Sequence, residues 1–474
     1  MPREPDLTFV IPTYRLRDVP EAVDAYDEHF WRNGHDVRIV VFDDGTAANR
    51  EKYYALLEAN ATYNPVYYVG PQEKERFLTH VAERLRDKKL GALVKSLFRP
   101  SYGGNRNCTL MYTLGELMVS SDDDMRPYAL MESHPESLGD HEVAHGKLLK
   151  TGRDRVVTKS FDILTAFLDV LGKPVSDVPA NHARGEVIVD SAMDLETNAS
   201  LGVAHENSLT LVDGAVGNAD VVKMAQTFRT GTSDVDAVDF VEMFLADEQE
   251  TDIEALNATY VLSNFRPAIT NMNWRMDCGV AGYDNTIGLP PFFPTRLRFE
   301  DYSYRLWAQH AGVACAHVDA VQTHTKSNYM RNPPADEIFN EEVANLLKRK
   351  IRHSLTRTDD LGLAFDYDGE VTPADCAEIL ERMAGLHRRS AAAQQNAADP
   401  VRAETLRTFG VNLQRAFYGF EPDFFQQNLA RLVDDVVTEI KASLEVWPTL
   451  VEICFFEKSK RGLPQTLVKN PRLG

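Results

Sequence analysis

The sequence predicts an α/β fold with a mixed, mainly parallel sheet covered by helices, and three observations predict it. Short β-branched apolar runs alternate with amphipathic helical stretches through the first 125 residues. Each run ends in a turn signal, as strands of a βαβ array do. Acidic clusters follow two of those runs, at the carboxyl edge where a parallel sheet places its ligands.

The elements follow in order. LTFVIPTY (Leu7 to Tyr14) is a short apolar strand stopped by Pro12. In VPEAVDAYDEHFWRNG, Val19, Ala22, Val23, Tyr26 and Phe30 share one helical face, and Gly34 ends it. HDVRIVVFDDG is a second strand, NREKYYALLEAN a helix and PVYYVG a third strand. The strand-like LMVS then runs into Asp122-Asp123-Asp124. From about 128 to 259 the pattern loosens into a large insertion that includes the helical stretches SFDILTAFLDVLG and VDAVDFVEMFLADEQ. It returns at Tyr260, and RLRFEDYSYRLWAQHAG reads as an amphipathic helix opened by Glu300 and Asp301, acids that suit a helix amino end. Past Asn332-Pro333-Pro334 nearly everything is helical, including a segment opened by Thr372-Pro373-Ala374-Asp375. The expected organisation is an α/β domain over 1–332 and a helical domain over 333–474, the latter a candidate ligand-binding cap, a homodimer surface or both.

At 474 residues and 43% apolar composition, the chain can bury a core in each of two or three domains. No run reaches the roughly 18 apolar residues of a membrane span, and MPREPDLTF lacks a signal-peptide apolar region, so a cytoplasmic protein is expected. Cys108, Cys278, Cys315, Cys376 and Cys454 show no CxxC spacing and read as buried thiols. A formal charge of −20 disfavours nucleic acid. It suits an enzyme that recruits anionic ligands through a bound cation.

Three consecutive aspartates repel one another, so full ionisation needs water or a cation close by. A solvated turn supplies the first. At the end of a buried strand, a hard divalent ion such as Mn2+ or Mg2+ supplies the second and also accepts phosphate oxygens. Asp43-Asp44-Gly45-Thr46 has the same two readings, an ordinary turn or part of a ligand edge.

FVIPTY, VVFDDGT, YGGNRNCTLMYTLGELMVSSDDDMRP, GVAGYD and RFEDYSYRLW, in this order, resemble the landmarks of nucleotide-sugar glycosyltransferases of the GT-A fold, closest to family 2. The resemblance covers about 7–126 and 272–331. It implies that Pro12, Thr13 and Tyr14 line a nucleotide pocket and that Asp43 and Asp44 hold base and ribose. Gly103, Gly104 and Arg106 match a turn that lets the backbone approach the nucleotide. Asp122, Asp123 and Asp124 match a DxD-type motif, with Asp122 or Asp123 reaching the ribose and Asp122, Asp124 and His324 as ligands of Mn2+ or Mg2+. Asp301 matches the general base of inverting members, Glu300 orients donor or acceptor, and Lys326 and Arg331 could reach the diphosphate. The implied activity is transfer from a nucleotide-diphosphate sugar to a hydroxyl of a saccharide, small molecule or peptide. Retaining chemistry stays open because retaining members use similar metal sets. The chain departs from the pattern in the roughly 175 residues that separate the triplet from Glu300.

One rival motif carries different chemistry. His141-Glu142-Val143-Ala144-His145 is HExxH, the helical zinc-peptidase pattern, but Gly139 and Gly146 flank it in poor helix context and no third ligand is patterned. A noncatalytic sugar-nucleotide-binding protein on the same fold is the remaining class, against which the intact triplet and Glu-Asp pair argue.

Overall fold

The computed structural model describes residues 6–45, 47–60, 63–85, 88–132, 146–148, 156–160, 162–178, 188–189, 210–211, 221–229, 260–262, 269–270, 279–293, 297, 300–301, 304, 313–324, 334–357, 363–397, 400–417 and 422–470. The chain opens with β1 (Leu7–Thr13), α1 (Val19–Arg32), β2 (Arg38–Asp43), α2 (Arg50–Asn60), β3 (Val66–Val69), α3 (Pro71–Leu85), α4 (Lys88–Leu97), α5 (Tyr102–Tyr112) and β4 (Leu117–Ser121). The middle holds β5 (Met125–Glu132), β6 (Gly146–Leu148), β7 (Val156–Ser160), α6 (Ile163–Leu168), β8 (Ile188–Val189), β9 (Thr210–Leu211), β10 (Val222–Arg229), β11 (Tyr260–Leu262), β12 (Ile269–Thr270), β13 (Val280–Asp284) and β14 (Ala314–His324). Then come α7 (Ala335–Ser354), β15 (Leu355–Arg357), β16 (Leu363–Phe365), α8 (Pro373–Asn396), α9 (Pro400–Phe417), α10 (Pro422–Arg461) and β17 (Thr466–Lys469).

The main sheet runs β17-β3-β2-β1-β4-β13-β10-β14-β5-β7, with β12 added on β14. β3, β2, β1 and β4 are mutually parallel, and β10 and β14 form a second parallel pair; the other joins are antiparallel. The α/β reading therefore holds, with the parallel block where the alternating pattern predicts it. From β1 the chain builds outward to β2 and β3, then crosses back to lay β4 on the other side of β1. The switch point between β1 and β4 opens a crevice at their carboxyl ends.

Both faces of this block are buried, and alternate residues sort between two cores. Phe9, Ile11, Ile39 and Val41 join α1, α2 and α6 in one; Val10, Val40 and Phe42 join α3, α4 and α5 in the other. In α1, Val19, Ala22, Val23, Tyr26 and Phe30 are all buried, the face read from the sequence. Gly34 ends it at a φ of 76°, a conformation that costs glycine little. The stretch read as an insertion supplies β7 and β10 to the main sheet, and α6 covers that sheet through Ile163, Leu164 and Phe167. The helix expected over 235–249, the HExxH motif and Cys278 lie outside the described residues. The other four cysteines are buried free thiols.

α7, α8, α9 and the first half of α10 enclose a third core. Thr372 and Asp375 form the capping box at the start of α8, as their spacing predicts. The helical region is nevertheless tied to the sheet. α10 is 40 residues long; Phe425 to Ile440 pack in the helical core, whereas Val446, Trp447, Leu450 and Cys454 pack beneath the sheet. Pro448, which removes one helical donor, stands where the helix changes cores. β17 then pairs with β3 at the sheet edge. Among the described residues no helix is long and apolar enough to cross a membrane.

Trp447 is the clearest joint between these cores: it is buried, and its indole Nε1 donates to the Leu289 carbonyl at 2.7 Å. Trp447→Ala is expected to cost about 3–5 kcal/mol. Urea denaturation should still show one transition, and two separated transitions would contradict a shared fold.

Candidate functional site

A cavity of about 390 Å3 lies in the β1/β4 crevice. Pro12, Thr13, Tyr14 and Arg15 line it from β1 and its continuation, Ser101, Tyr102, Asn105 and Arg106 from the start of α5, and Asp44, Asp122 and Asp123 from the strand ends. Of the described residues named from the sequence, Asp43, Gly103, Gly104, Asp124, Glu300, Asp301 and His324 are not part of this lining.

The aspartate triplet sits on a tight turn. Asp122 N donates to the Gly279 carbonyl at 2.8 Å, and Met125 N closes back on the Asp122 carbonyl at 3.1 Å. The three side chains take different partners. Asp123 is buried and accepts from Thr13 Oγ1 at 2.5 Å and from Arg15 Nε at 3.2 Å, while Arg15 Nη2 engages its second oxygen. Asp124 lies 2.8 Å from Arg15 Nη1. Asp122 is half-buried, 3.1 Å from Arg106 Nη2. Repulsion within the triplet is thus offset by two guanidiniums from distant elements, a solution neither sequence reading contained. Burial, together with the Asp124 and Asp122 charges, still pushes Asp123 up to about 7 against the opposing pull of Arg15 and Thr13.

The adjoining wall is set by the amino end of α5. Ser101 caps it, its Oγ accepting from Gly104 N at 3.1 Å. A Cβ at Gly104 would drive into the Arg99 carbonyl oxygen. Arg106, one turn in, reaches Asp122 and also donates from Nε to Glu300 Oε1 at 3.0 Å. Glu300 and Asp301 are helical, and Tyr304 on the same segment stacks on Phe292 at 3.9 Å. Burial first, then the neighbouring Asp301 charge, raises the Glu300 pKa, with Arg106 opposing.

The β2 acids are anchored. Asp43 accepts from Gly45 N at 2.6 Å and Tyr68 OH at 2.7 Å. Asp44 accepts from Ser101 N at 2.9 Å and pairs with Lys74, whose Nζ also donates to Asn105 Oδ1 at 2.7 Å. Burial raises the pKa of both acids. Asp44 faces the cavity with acceptor capacity to spare, since a carboxylate has about four acceptor positions. Tyr14 and Tyr102 stand at the rim, 54% and 50% exposed, their rings perpendicular and 6.4 Å apart.

Strand register brings His324 to the triplet: in β14 it pairs with Met125, the residue after Asp124. Lys326 and Arg331 lie outside the described residues. Sequence reasoning missed Arg15, Lys74, Asn105 and Tyr102. The signal for Arg15 was its place, a cation immediately after an apolar strand that borders the acidic one.

Among the described residues no three His, Cys, Asp or Glu side chains converge as a metal cluster. The donor chemistry nevertheless suits a hard divalent ion. Asp122 and Asp124 offer carboxylate oxygens on one turn, and counted with Asp44, Asp123 and Glu300 they make five acids against the three cations Lys74, Arg15 and Arg106.

No protein-family model matches this chain, and no curated protein does. Among solved structures it is similar to the mannosyltransferase PcManGT from Pyrobaculum calidifontis in complex with GDP-Man and Mn2+, at 13% identity and a TM-score of 0.29 over 94% of this chain and 87% of that one. It is also similar to S. aureus TarS, at 12% identity and a TM-score of 0.28 over 91% of this chain and 55% of TarS. At this distance neither likeness carries an argument about chemistry, which rests on the site's own residues.

Two outcomes are expected. Gly104→Ala should lower unfolding free energy by about 1–3 kcal/mol, because α5 must retreat from Arg99; an unchanged denaturation midpoint would contradict the close approach. Asp123 has a folded pKa above its unfolded one, so the native state holds the extra proton and stability falls as pH rises from about 4 to about 7. In urea titrations across that window Asp123→Asn should show a shallower fall than wild type, and parallel slopes would refute the assignment.

Proposed function

We propose that the protein is a metal-dependent glycosyltransferase of GT-A type that moves a sugar from a nucleoside-diphosphate sugar to an acceptor hydroxyl with inversion. The observation that carries this reading is convergence. Asp122 and Asp123 after β4, Arg106 with Glu300 paired behind it, and Thr13 and Tyr14 at the end of β1 meet at one cavity at the switch point of the parallel block. Nothing in composition requires these segments, nearly 300 residues apart at their extremes, to meet.

The residues divide the work. Pro12, Thr13 and Tyr14 form the floor and rim against which a nucleotide lies, and Asp44 accepts from its base or ribose. Asp43 holds the turn at Gly45 through its own hydrogen bonds. Gly103 and Gly104 open α5 behind the cavity wall, Gly104 packed on the Arg99 carbonyl, and Arg106 places a fixed positive charge between Asp122 and Glu300. Asp123 is locked by Thr13 and Arg15 and orients its two neighbours. Asp122 and Asp124, with His324 beside them in register, would hold Mn2+ or Mg2+, which supplies Lewis-acid stabilisation of the leaving diphosphate. Lys326 and Arg331, which follow β14 in the sequence, would add positive charge for the same group.

Asp301 is the base. It takes the proton of the acceptor hydroxyl as the acceptor oxygen bonds to the anomeric carbon, while the bond from that carbon to the diphosphate breaks and the nucleoside diphosphate departs. Buried Glu300, tied to Arg106, fixes the start of that helical segment and the position of Asp301.

A donor screen tests the reading. UDP- or GDP-linked sugars should bind more tightly with Mn2+ than without it. Asp301→Asn should lower turnover by about 10^2- to 10^4-fold at unchanged donor affinity. Absence of any metal-assisted nucleotide binding would refute the function, an active Asp301→Asn would refute the base, and a product that keeps the donor's anomeric configuration would refute inversion. Stoichiometric zinc, lost in His141→Ala, would favour a peptidase.

A further inference from the structure

We propose that Arg15 is the resident counter-ion of the aspartate triplet and a positioning residue that couples cation binding to nucleotide binding. The coupling rests on the transferase reading; the competition at Asp124 involves only Arg15, Asp124 and a cation.

The two carboxylates bridged by Arg15 are held differently. Asp123 is buried, is also held by Thr13 Oγ1 and meets the guanidinium through two nitrogens, so it belongs to the fold. Asp124 meets it through one terminal nitrogen, Nη1, at 2.8 Å. Asp18, 3.7 Å from Nε, and the Tyr14 ring, 5.4 Å from the guanidinium carbon, keep the side chain on the cavity wall. The Asp124 contact is the exchangeable one. A divalent cation carries twice the guanidinium charge and takes carboxylate oxygen at close range, so it competes directly with Nη1 for Asp124 Oδ2.

The released end of Arg15 remains in the cavity lining, where a diphosphate offers it a charge-assisted partner. The cation therefore frees Arg15 for the diphosphate, and the diphosphate draws Arg15 from Asp124 and frees that oxygen for the cation. Each ligand raises the affinity of the other, by the same factor as linkage requires. All the exchanges are ionic, with no covalent step.

Calorimetry of the full chain tests this with MnCl2 alone, then with UDP and GDP in the presence and absence of Mn2+. Without nucleotide, Arg15→Gln should bind Mn2+ about tenfold more tightly than wild type, and adding Asp124→Asn should abolish that gain. The factor by which Mn2+ tightens the better nucleotide should shrink about fivefold or more in Arg15→Gln. Equal or weaker Mn2+ binding by a folded Arg15→Gln would overturn the proposal. Arg15→Lys keeps the charge but not the two-carboxylate bridge, and should give intermediate Mn2+ affinity. If Arg15→Gln does not fold, wild-type Mn2+ affinity in Arg15→Lys overturns the proposal instead. If the Mn2+ result holds but neither UDP nor GDP binds, the coupling falls together with the transferase reading, and only the competition at Asp124 stands.

Discussion

The site depends on how one strand can end in three aspartates. An unpaired buried carboxylate is costly, and three adjacent ones compound the cost through their mutual repulsion. Arg15 and Arg106 make the arrangement tenable, and each arrives from a different element. The parallel pairing of β1 with β4 brings Thr13 and Arg15 to Asp123 and Asp124. The Ser101 cap and the close approach of Gly104 to Arg99 set α5 so that Arg106 reaches Asp122. The same guanidinium holds Glu300, so the segment that carries Glu300 and Asp301 is positioned by the triplet's own counter-charge.

The rest of the molecule holds these elements still. Lys74 from α3 ties Asp44 to Asn105 of α5, and the Asn105 amide donates to the Phe42 carbonyl of β2 at 3.0 Å. Asn107 of α5 bonds the Leu97 and Phe292 carbonyls and so joins α4 and the segment after β13. Behind them lies α10, whose Glu439 pairs with Arg99 at 3.1 Å and whose Glu457 pairs with Arg84 at 2.8 Å. The helical region is thus a buttress to the wall that carries Arg106.

What the sequence made legible was local. The α1 face, the β2 and β3 runs, the Thr372 capping box and the acidic strand ends follow from short-range periodicity and turn chemistry, and the structure has them. What it concealed was pairing over long separations. Arg15 and Asp123 stand 108 residues apart, and nothing in a cation after a strand names its partner. β10 was hidden because VKMAQTFR mixes polar and apolar residues without clean alternation, yet it lies inside the sheet between β13 and β14. The separation at 332 follows a real change from strands to helices, but α10 crosses it by packing in two cores, and β17 returns to pair with β3.

A crystal structure with Mn2+ and UDP or GDP would test the central claim most directly. The nucleotide is expected in the β1/β4 crevice, its base near Asp44 and the Tyr14–Tyr102 rim, and the diphosphate bridged by a metal to Asp122 and Asp124. Arg15 is expected to turn from Asp124 toward the phosphates. A nucleotide bound elsewhere, or a diphosphate in the crevice with Arg15 still bridging Asp123 and Asp124 and no metal between, would contradict it.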